Sequence, residues 1–531
     1  MNKKILLGVA ISVASLQVAA IPFAPTDARA MAMGGTGVAA AKTVHAVQFN
    51  PSLLSNAEEA DDFGILLQGG GYVADEDEFV DSADDFIDAD YVSGFESAVD
   101  NITTPIDNIQ AQISVIDNNS DTGADLTVLT TATGVLNTNA TQLTVGTTEL
   151  TLATVDLTDG LSTLSDKALR GGLGGGAAIA IPSKKFSVGV SVSNSTSFSG
   201  VLRIAQSDLN TLINYTTATD EYAKVVALYA TAADDSANTI LKIQNASDIN
   251  HADFDPTEAL RLTNEDFADD EAALATASTN LDTFTYGGTG RPASEGDIAI
   301  FENGALASGA DSITLASEAH IIAVAVTDIA LTISREFDFS GTPVAIGISP
   351  KLQRLDVYDY IVSVEDEVDT GDISDFGVDD TGFNLDIGTS MQFGEEQQGK
   401  VGIVFKNLLS NELESIGGQV VEIQPQVRVG VAYEAFGWIN LAADLDLTEN
   451  EPLAFEDPSQ FLGFGLELDI FGFMQGRAGY RTNLASTGQE VVSVGFGLSP
   501  FSLFHMDLGV YTNTDDPKKE VGAVFDLGVD W

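Results

Sequence analysis

No cysteine occurs among the 531 residues, which removes disulfides, thiol catalysis and cysteine-ligated metals. Histidine is scarce: His45, His251, His320 and His505 are the only four, and no two stand at metal-ligand spacing. Cations are few as well. Lys and Arg total 23 against 79 Asp and Glu, a formal net charge of −56 at pH 7, so the field of the chain repels nucleic acid. That charge reads as a solvated acidic surface suited to saline surroundings, with divalent-cation bridging to acidic glycolipid as the sharper alternative. Long apolar runs are missing beyond the N-terminal stretch: none reaches the roughly 18 to 20 residues of a bilayer-crossing helix. Only a closed β-barrel could then cross a membrane.

The N-terminal stretch itself, residues 1 to 20, reads as a secretory signal. Lys3 and Lys4 make its basic start, Ile5 to Val13 its apolar core, and Val18-Ala19-Ala20 a small-residue cleavage site. Cleavage there makes Ile21 the first mature residue, with Ala28-Arg29-Ala30 as the alternative, and no cysteine precedes Ile21 to carry a lipid anchor. The length allows several domains, but one large barrel with long loops fits equally.

Two-residue alternation dominates the C-terminal half. In the last strand Val521, Ala523, Phe525, Leu527, Val529 and Trp531 share one face, opposite Gly522, Asp526, Gly528 and Asp530. A terminal strand of this kind resembles the signal read by the barrel-insertion machinery, carried here by Phe525, Leu527, Val529 and Trp531. Fourteen candidate strands follow from the same pattern, near residues 63–73, 172–181, 185–198, 319–334, 342–364, 381–393, 400–408, 421–434, 437–449, 460–470, 473–482, 490–498, 502–512 and 520–531. An even count suits a bacterial barrel. Every second connection is short, as at Pro182-Ser183-Lys184, Arg335 to Gly341, Gly394 to Gly399, Ala435-Phe436, Phe471-Gly472 and Ser499-Pro500-Phe501, and these predict periplasmic turns. The others, 74–171, 199–318, 365–380, 409–420, 450–459, 483–489 and 513–519, are long or acidic and predict external loops.

Face composition agrees with lipid outside and water inside. Ile439, Leu441, Ala443, Leu445 and Leu447 oppose Asn440, Asp444, Asp446 and Thr448, and Leu462 to Ile470 repeats the pattern against Gly463, Gly465, Glu467 and Asp469. Carboxylates toward hydrocarbon would cost kilocalories each, so they face the lumen. A soluble sandwich could alternate likewise, but with less glycine opposite the apolar row. The expectation is an all-β transmembrane barrel of about 14 antiparallel strands, residues 58–531, preceded by a plug at 21–57 and interrupted by helical extracellular inserts at 76–169 and 202–315.

The inserts lose the two-residue period. Phe95, Val99, Ile102, Ile106, Ile109, Ile113 and Ile116 follow four-three spacing, Leu129 to Leu164 recurs every seven, and a turn-rich link from Asp117 to Gly123 joins them. This predicts an antiparallel helical hairpin of coiled-coil type, against the helix-poor threonines of its second half and Pro105 in its first. Residues 208–281 also read as helical, with Asp255-Pro256-Thr257-Glu258 as a start signal, and 284–318 as loop.

The most distinctive local stretch runs from Ala28 through Met31-Ala32-Met33-Gly34-Gly35-Thr36-Gly37 to Phe49-Asn50-Pro51-Ser52. Gly34, Gly35 and Gly37 are no phosphate loop, since neither a preceding strand nor a following lysine and hydroxyl is present. Residues 28–54 resemble the start of FadL-type outer-membrane transporters, a likeness that implies a hatch inside a fourteen-stranded barrel with Asn50 and Pro51 in the plug. Closer still is the similarity to the exported TraF-like conjugal transfer family of plasmid transfer operons. It rests on Asp27 to Gly35, the Asn-Pro segment and Ile348-Ser349-Pro350-Lys351-Leu352-Gln353. The absence of any Cys-x-x-Cys separates it from thioredoxin-like proteins of the same name.

Arg428, Arg477 and Arg481 fall on lumen faces with Glu467, Asp469 and Asp444, and aligning the hairpin at 471–473 sets Glu467 opposite Arg477. Internal charge pairing and a selectivity constriction are the two readings of that set. His505 falls beside Asp507 on the lumen face, Asp117 to Asp125 lacks the closing acid of a calcium loop, and no serine is marked for barrel hydrolase chemistry. No catalytic, cofactor or metal residue is expected. The expected role is a surface or assembly component of conjugal transfer; the alternative is a passive FadL-like channel for a small hydrophobic ligand, with a barrel enzyme third. Expected partners are outer-membrane lipid and glycolipid, the insertion machinery and an extracellular protein, but no nucleic acid.

Overall fold

The structure is a computed structural model that describes residues 27–531 except 43, 57–61, 122, 124, 288–298, 309–314, 340–341, 365, 367–374, 451–454, 456–457, 501–502 and 531. The expected export signal with its first cleavage site, and Trp531, lie outside the described residues. Fourteen antiparallel strands close into a barrel. In chain order they are β1 (Gly64–Ala74), β2 (Ala168–Ile181), β3 (Ser187–Arg203), β6 (Glu318–Phe339), β7 (Thr342–Ser363), β8 (Gly377–Phe393), β9 (Gly399–Lys406), β12 (Gln426–Ala435), β13 (Ile439–Asp446), β14 (Phe461–Ile470), β15 (Met474–Asn483), β16 (Val491–Leu498), β17 (Phe504–Asn513) and β18 (Glu520–Asp530). β18 closes on β1, with Leu527 opposite Leu67. Two small hairpins, β4–β5 (Phe301–Glu302, Ala305–Leu306) and β10–β11 (Asn411–Glu414, Val420–Ile423), stand apart from the wall.

Alternation sorts the side chains as hydrocarbon and water would. Outward residues such as Leu508 (54 % exposed) and Phe525 (47 %) form an apolar belt, whereas Asp526 and Glu467 face inward at 0 %. Phe186, Phe339, Phe393, Phe436, Trp438 and Phe471 stand exposed near the short turns, an aromatic girdle at one rim of that belt. Phe436 and Phe471 adopt positive φ (60° and 61°), a strained choice for an aromatic in a turn. No described helix is long and apolar enough to cross a membrane.

Two strand expectations change. The strand expected at 421–434 begins only at Gln426, because Pro425 has no N–H to extend the ladder. Residues 420–423 turn inward instead, and Val421 and Ile423 of β11 bury against Ile322, Val324, Leu355 and Val357. The turn expected from Arg335 to Gly341 is mostly strand, since β6 and β7 pair out to Phe339 and Thr342. At 22 residues each, β6 and β7 run about 70 Å, far beyond the 9 to 11 residues a membrane strand needs.

That surplus wall carries the inserts. Helices α4 (Tyr91–Asp117) and α5 (Leu126–Leu164) pack antiparallel, with Asn101 bonded to Glu149 and Asn108 to Asn139. The heptad residues Leu129, Leu136 and Leu143 are all 0 % exposed. The threonines of α5 are accommodated because their hydroxyls donate to carbonyls one turn back, as Thr130 to Leu126 and Thr138 to Gly134. The second insert supplies α6 (Gln206–Ser247), α7 (Pro256–Asn264) and α8 (Asp266–Asp282), and both inserts share one core through Ile109, Leu136, Tyr222 and Tyr229. Residues expected as loop contribute Phe301, stacked on Tyr222 at 4.7 Å. Burial and the neighbouring Asp117 push the Tyr229 hydroxyl above the usual phenol range and keep it a donor to Asp117 at 2.7 Å. Asp117 is thus spent inside the bundle, and Asp125 caps α5 through the Thr127 N–H.

The base of the bundle covers outward wall residues above the apolar belt. Leu169, Phe198, Ile321 and Tyr360 would face solvent there but bury beneath Phe79 and Phe86 of α3 (Phe79–Asp88) and Leu157 and Leu161 of α5. Since the bundle core is separate from the barrel, Leu143→Ala is expected to cost the bundle about 3 kcal/mol and leave the barrel intact. The helical component of thermal unfolding by circular dichroism should shift to lower temperature while heat-modifiable gel migration of the barrel stays unchanged.

Candidate functional site

The segment from Asp27 to Ser55 fills the lumen, and nearly every described residue in it is buried. Its first turn, α1 (Ala28–Ala32), is capped by Asp27, whose carboxylate accepts from Ala30 N at 2.7 Å. Gly34 and Gly35, at φ 70° and 79°, end that turn and reverse the chain. A side chain on Gly34 would collide with the carbonyls of Phe464 and Tyr480, because plug backbone lies directly on wall backbone. The wall answers in kind: a side chain on Gly463, Gly479 or Gly388 would enter Gly34 or Asn50. The glycines opposite the apolar row are therefore the seat of the plug.

Asn50 and Pro51 close the segment. Between α2 (Ala46–Phe49) and the 3-10 turn Pro51–Ser55, Asn50 donates to Val38 O at 2.8 Å and accepts from Ser52 N and Oγ, while Ser52 Oγ reaches Ser390 at 2.9 Å. Gly37 packs beneath the Phe49 ring, and its N–H, with that of Val38, donates to Asp444 at 2.7 and 2.9 Å.

Charge joins plug to wall. Arg29 grips Glu467 with two parallel bonds of 2.8 and 2.9 Å. Arg477 reaches the same carboxylate at 2.7 Å and Asp507 at 2.5 Å, so Glu467 holds one arginine from each partner. The register that places Glu467 opposite Arg477 is the one observed. Arg428 pairs with Asp446 at 2.5 Å, and Arg481 with Glu520 at 3.1 Å. Asp444 is the acceptor for plug N–H groups, with Arg428 lining the same space. Asp469 stays outside the network, because it lies at the turn end of β14 and accepts from Gly472 N at 3.1 Å. Of the proposed insertion residues, Phe525 and Leu527 point outward, and Val529 is half-buried.

Sequence reasoning missed Arg29, Asp27 and His45. Arg29 had one signal: it is the sole cation between Lys4 and Lys42. His45 Nδ1 lies 2.6 Å from Asp27 Oδ2. Burial opposes charge on this imidazole, yet the Asp27 carboxylate prevails and pushes it up to about 9, while against the same burial His45 draws Asp27 down to about 2. His505 bonds Asp530 at 3.1 Å rather than Asp507, which Arg477 occupies. His320 stands 2.6 Å from Asp359, and Ser415 donates to the other carboxylate oxygen, so hydroxyl and imidazole share an acid instead of meeting as nucleophile and base.

Two spaces flank the plug. A cavity of about 440 Å³ at the short-turn end is walled by polar groups including Lys42, Lys400, Gln398 and Asn440. A second, small space of about 10 Å³ lies by Gly34 and Gly35, between Arg428, Asp444 and Arg481. Arg29→Met would leave the Glu467 side of a buried pair short of one cation, at an expected cost of about 3 kcal/mol to plug seating. Limited proteolysis should then cut within the N-terminal segment of the variant and spare it in the parent protein.

Among curated proteins no sequence matches this chain. Solved structures align along nearly all of it, but loosely. The P. putida toluene transporter TodX shares 10% identity over 96% of this chain and 99% of that one, with a TM-score of 0.41. The Ralstonia pickettii toluene transporter TbuX shares 9% over 96% and 99% at 0.43, and the CymD monoaromatic hydrocarbon channel 8% over 96% and 98% at 0.41. The family model described as F plasmid transfer operon, TraF, protein matches residues 47–446, most of the sequence, and the chain belongs to that family.

Proposed function

We propose that this outer-membrane-type barrel is a surface or assembly component of conjugal transfer, in which a sealed wall displays the helical bundle outside the cell. The short turns then face the periplasm and the inserts the medium. One observation carries the reading: the two longest inserts build one ordered core of their own. Ordering that many residues costs entropy that a mere pore rim does not require. The bundle is acidic, with no Lys or Arg anywhere in α4 or α5. A partner protein with a basic face suits it, and such contacts weaken with salt.

The second reading is a FadL-like passive channel for small hydrophobic molecules, and the 440 Å³ periplasmic cavity favours it. Its polar walls favour the first. The two separate on a variant lacking residues 76–169 and 206–315, which takes the whole bundle core away. The platform predicts that mating or cell contact falls at least about 10-fold, a loss of about 1.4 kcal/mol or more in contact free energy, while planar-bilayer conductance stays closed. Undiminished mating together with newly opened conductance would make the protein a channel.

A further inference from the structure

We infer that Asp27, His45 and Asp526 form a site for one divalent transition ion of the zinc class, which staples the plug to the last barrel strand. The three residues come from separate elements: Asp27 caps α1, His45 precedes α2, and Asp526 lies in β18. Each is at least nine-tenths buried, at 3 %, 5 % and 0 % exposure. Their donor atoms all lie within 4.8 Å of one another. His45 Nδ1 is 2.6 Å from Asp27 Oδ2 and 4.0 Å from Asp526 Oδ2. Tetrahedral zinc with bonds of about 2.0 to 2.2 Å sets its ligands roughly 3.3 Å apart. The shorter gap must open and the longer one close, each by about 0.7 Å, which side-chain rotation supplies.

Three further observations point to a cation rather than to a closed hydrogen-bond network. Asp526 Oδ1 is buried with no hydrogen-bond partner among the described residues; the other oxygen takes the Ala28 N–H at 2.8 Å. Acids also outnumber bases around the three residues. Arg29 and Arg477 offset Glu467 and Asp507, which leaves Asp27 and Asp526 facing one imidazole. A divalent ion would be met there by two carboxylates and one imidazole. The outer shell is in place as well, since the Ala30 and Ala28 N–H groups orient the two carboxylates.

Ligand chemistry selects the ion. One imidazole and two carboxylates without a thiol suit zinc and its neighbours, while calcium and magnesium want six or more oxygens. Entry is from the periplasm. Asp530 lines the 440 Å³ cavity and bonds His505, whose ring lies 5.5 Å from that of His45. His505 Nε2, buried without a partner among the described residues, stands beside the site as a further donor.

The test uses the full-length protein in detergent, stripped with chelator and titrated with zinc in excess calcium, which occupies surface carboxylates. One tight equivalent is expected in the parent and in His251→Gln, a change in the exposed turn after α6. His45→Gln and Asp526→Asn should each bind at least about 100-fold more weakly, the upper range for even an outer-shell partner. Heat-modifiable migration shows which variants are folded, and the visible spectrum of the cobalt-loaded parent must change in His45→Gln; if one variant does not fold, the other decides. Absence of saturable binding in the parent, or undiminished affinity in a folded variant, overturns the site and shows an adventitious ion only.

Discussion

Glu467 is where plug and wall become one body. It is fully buried, and its two oxygens accept from Arg29 of the plug, from Arg477 of the neighbouring strand and from Asn440. A carboxylate so far from water is tolerable only when every lone pair is engaged. If Arg29 leaves, the acid keeps Arg477 but loses the bidentate partner that its geometry is shaped for. Net stabilisation by such a pair is small, because desolvation offsets most of the attraction. Its consequence is positional: the plug has one seat, and alternative placements leave a charge unpaired.

Glycine shapes that seat as much as charge does. The lumen rows of β14 and β15 place Gly463 and Gly479 where plug backbone crosses, and β8 places Gly388 against Asn50. Larger side chains there would hold the segment off the wall and stretch the Arg29–Glu467 contact beyond bonding distance. Contact at backbone distance also keeps the space by Gly34 and Gly35 small, at about 10 Å³. The wall is correspondingly uneven. β9 and β12 through β18 are hardly longer than a bilayer strand requires, while β6 and β7 rise far above it and give the bundle base a surface to cover.

How much of this could be read from the sequence depended on the range of each interaction. Strands were legible because hydrocarbon and water impose a period of two, and the Glu467–Arg477 register because a short hairpin fixes it. The leucine heptad of α5 was legible for the same local reason. Residues 420–423 misled because alternation alone does not tell a wall strand from a hairpin folded inward; Pro425 was the missed break. Arg29 and Glu467 are 438 residues apart, and no periodicity connects them. The fusion of both inserts into one core escaped for the same reason. Asp444 was placed on the lumen face with the arginines, but its acceptor role stayed hidden because its donors are backbone N–H groups that every residue but proline carries.

Scarce cations are unevenly spent, and that shapes the outside of the molecule. Arg29, Arg428, Arg477 and Lys351 are all buried, each in contact with a carboxylate. With only 23 Lys and Arg in the whole chain, every one consumed in the lumen is lost to the surface. The exposed bundle is therefore left strongly acidic, and its folding overcomes self-repulsion mainly through the apolar core, to which the exposed ion pairs of Lys224 and Arg261 add little. Threonine suits such a surface. It adds no charge, and hydroxyls such as those of Thr130, Thr131 and Thr141 turn back to carbonyls of their own helix. The same composition that makes α5 a weak helix by propensity thus lets a highly charged protein hold a long helix clear of the membrane.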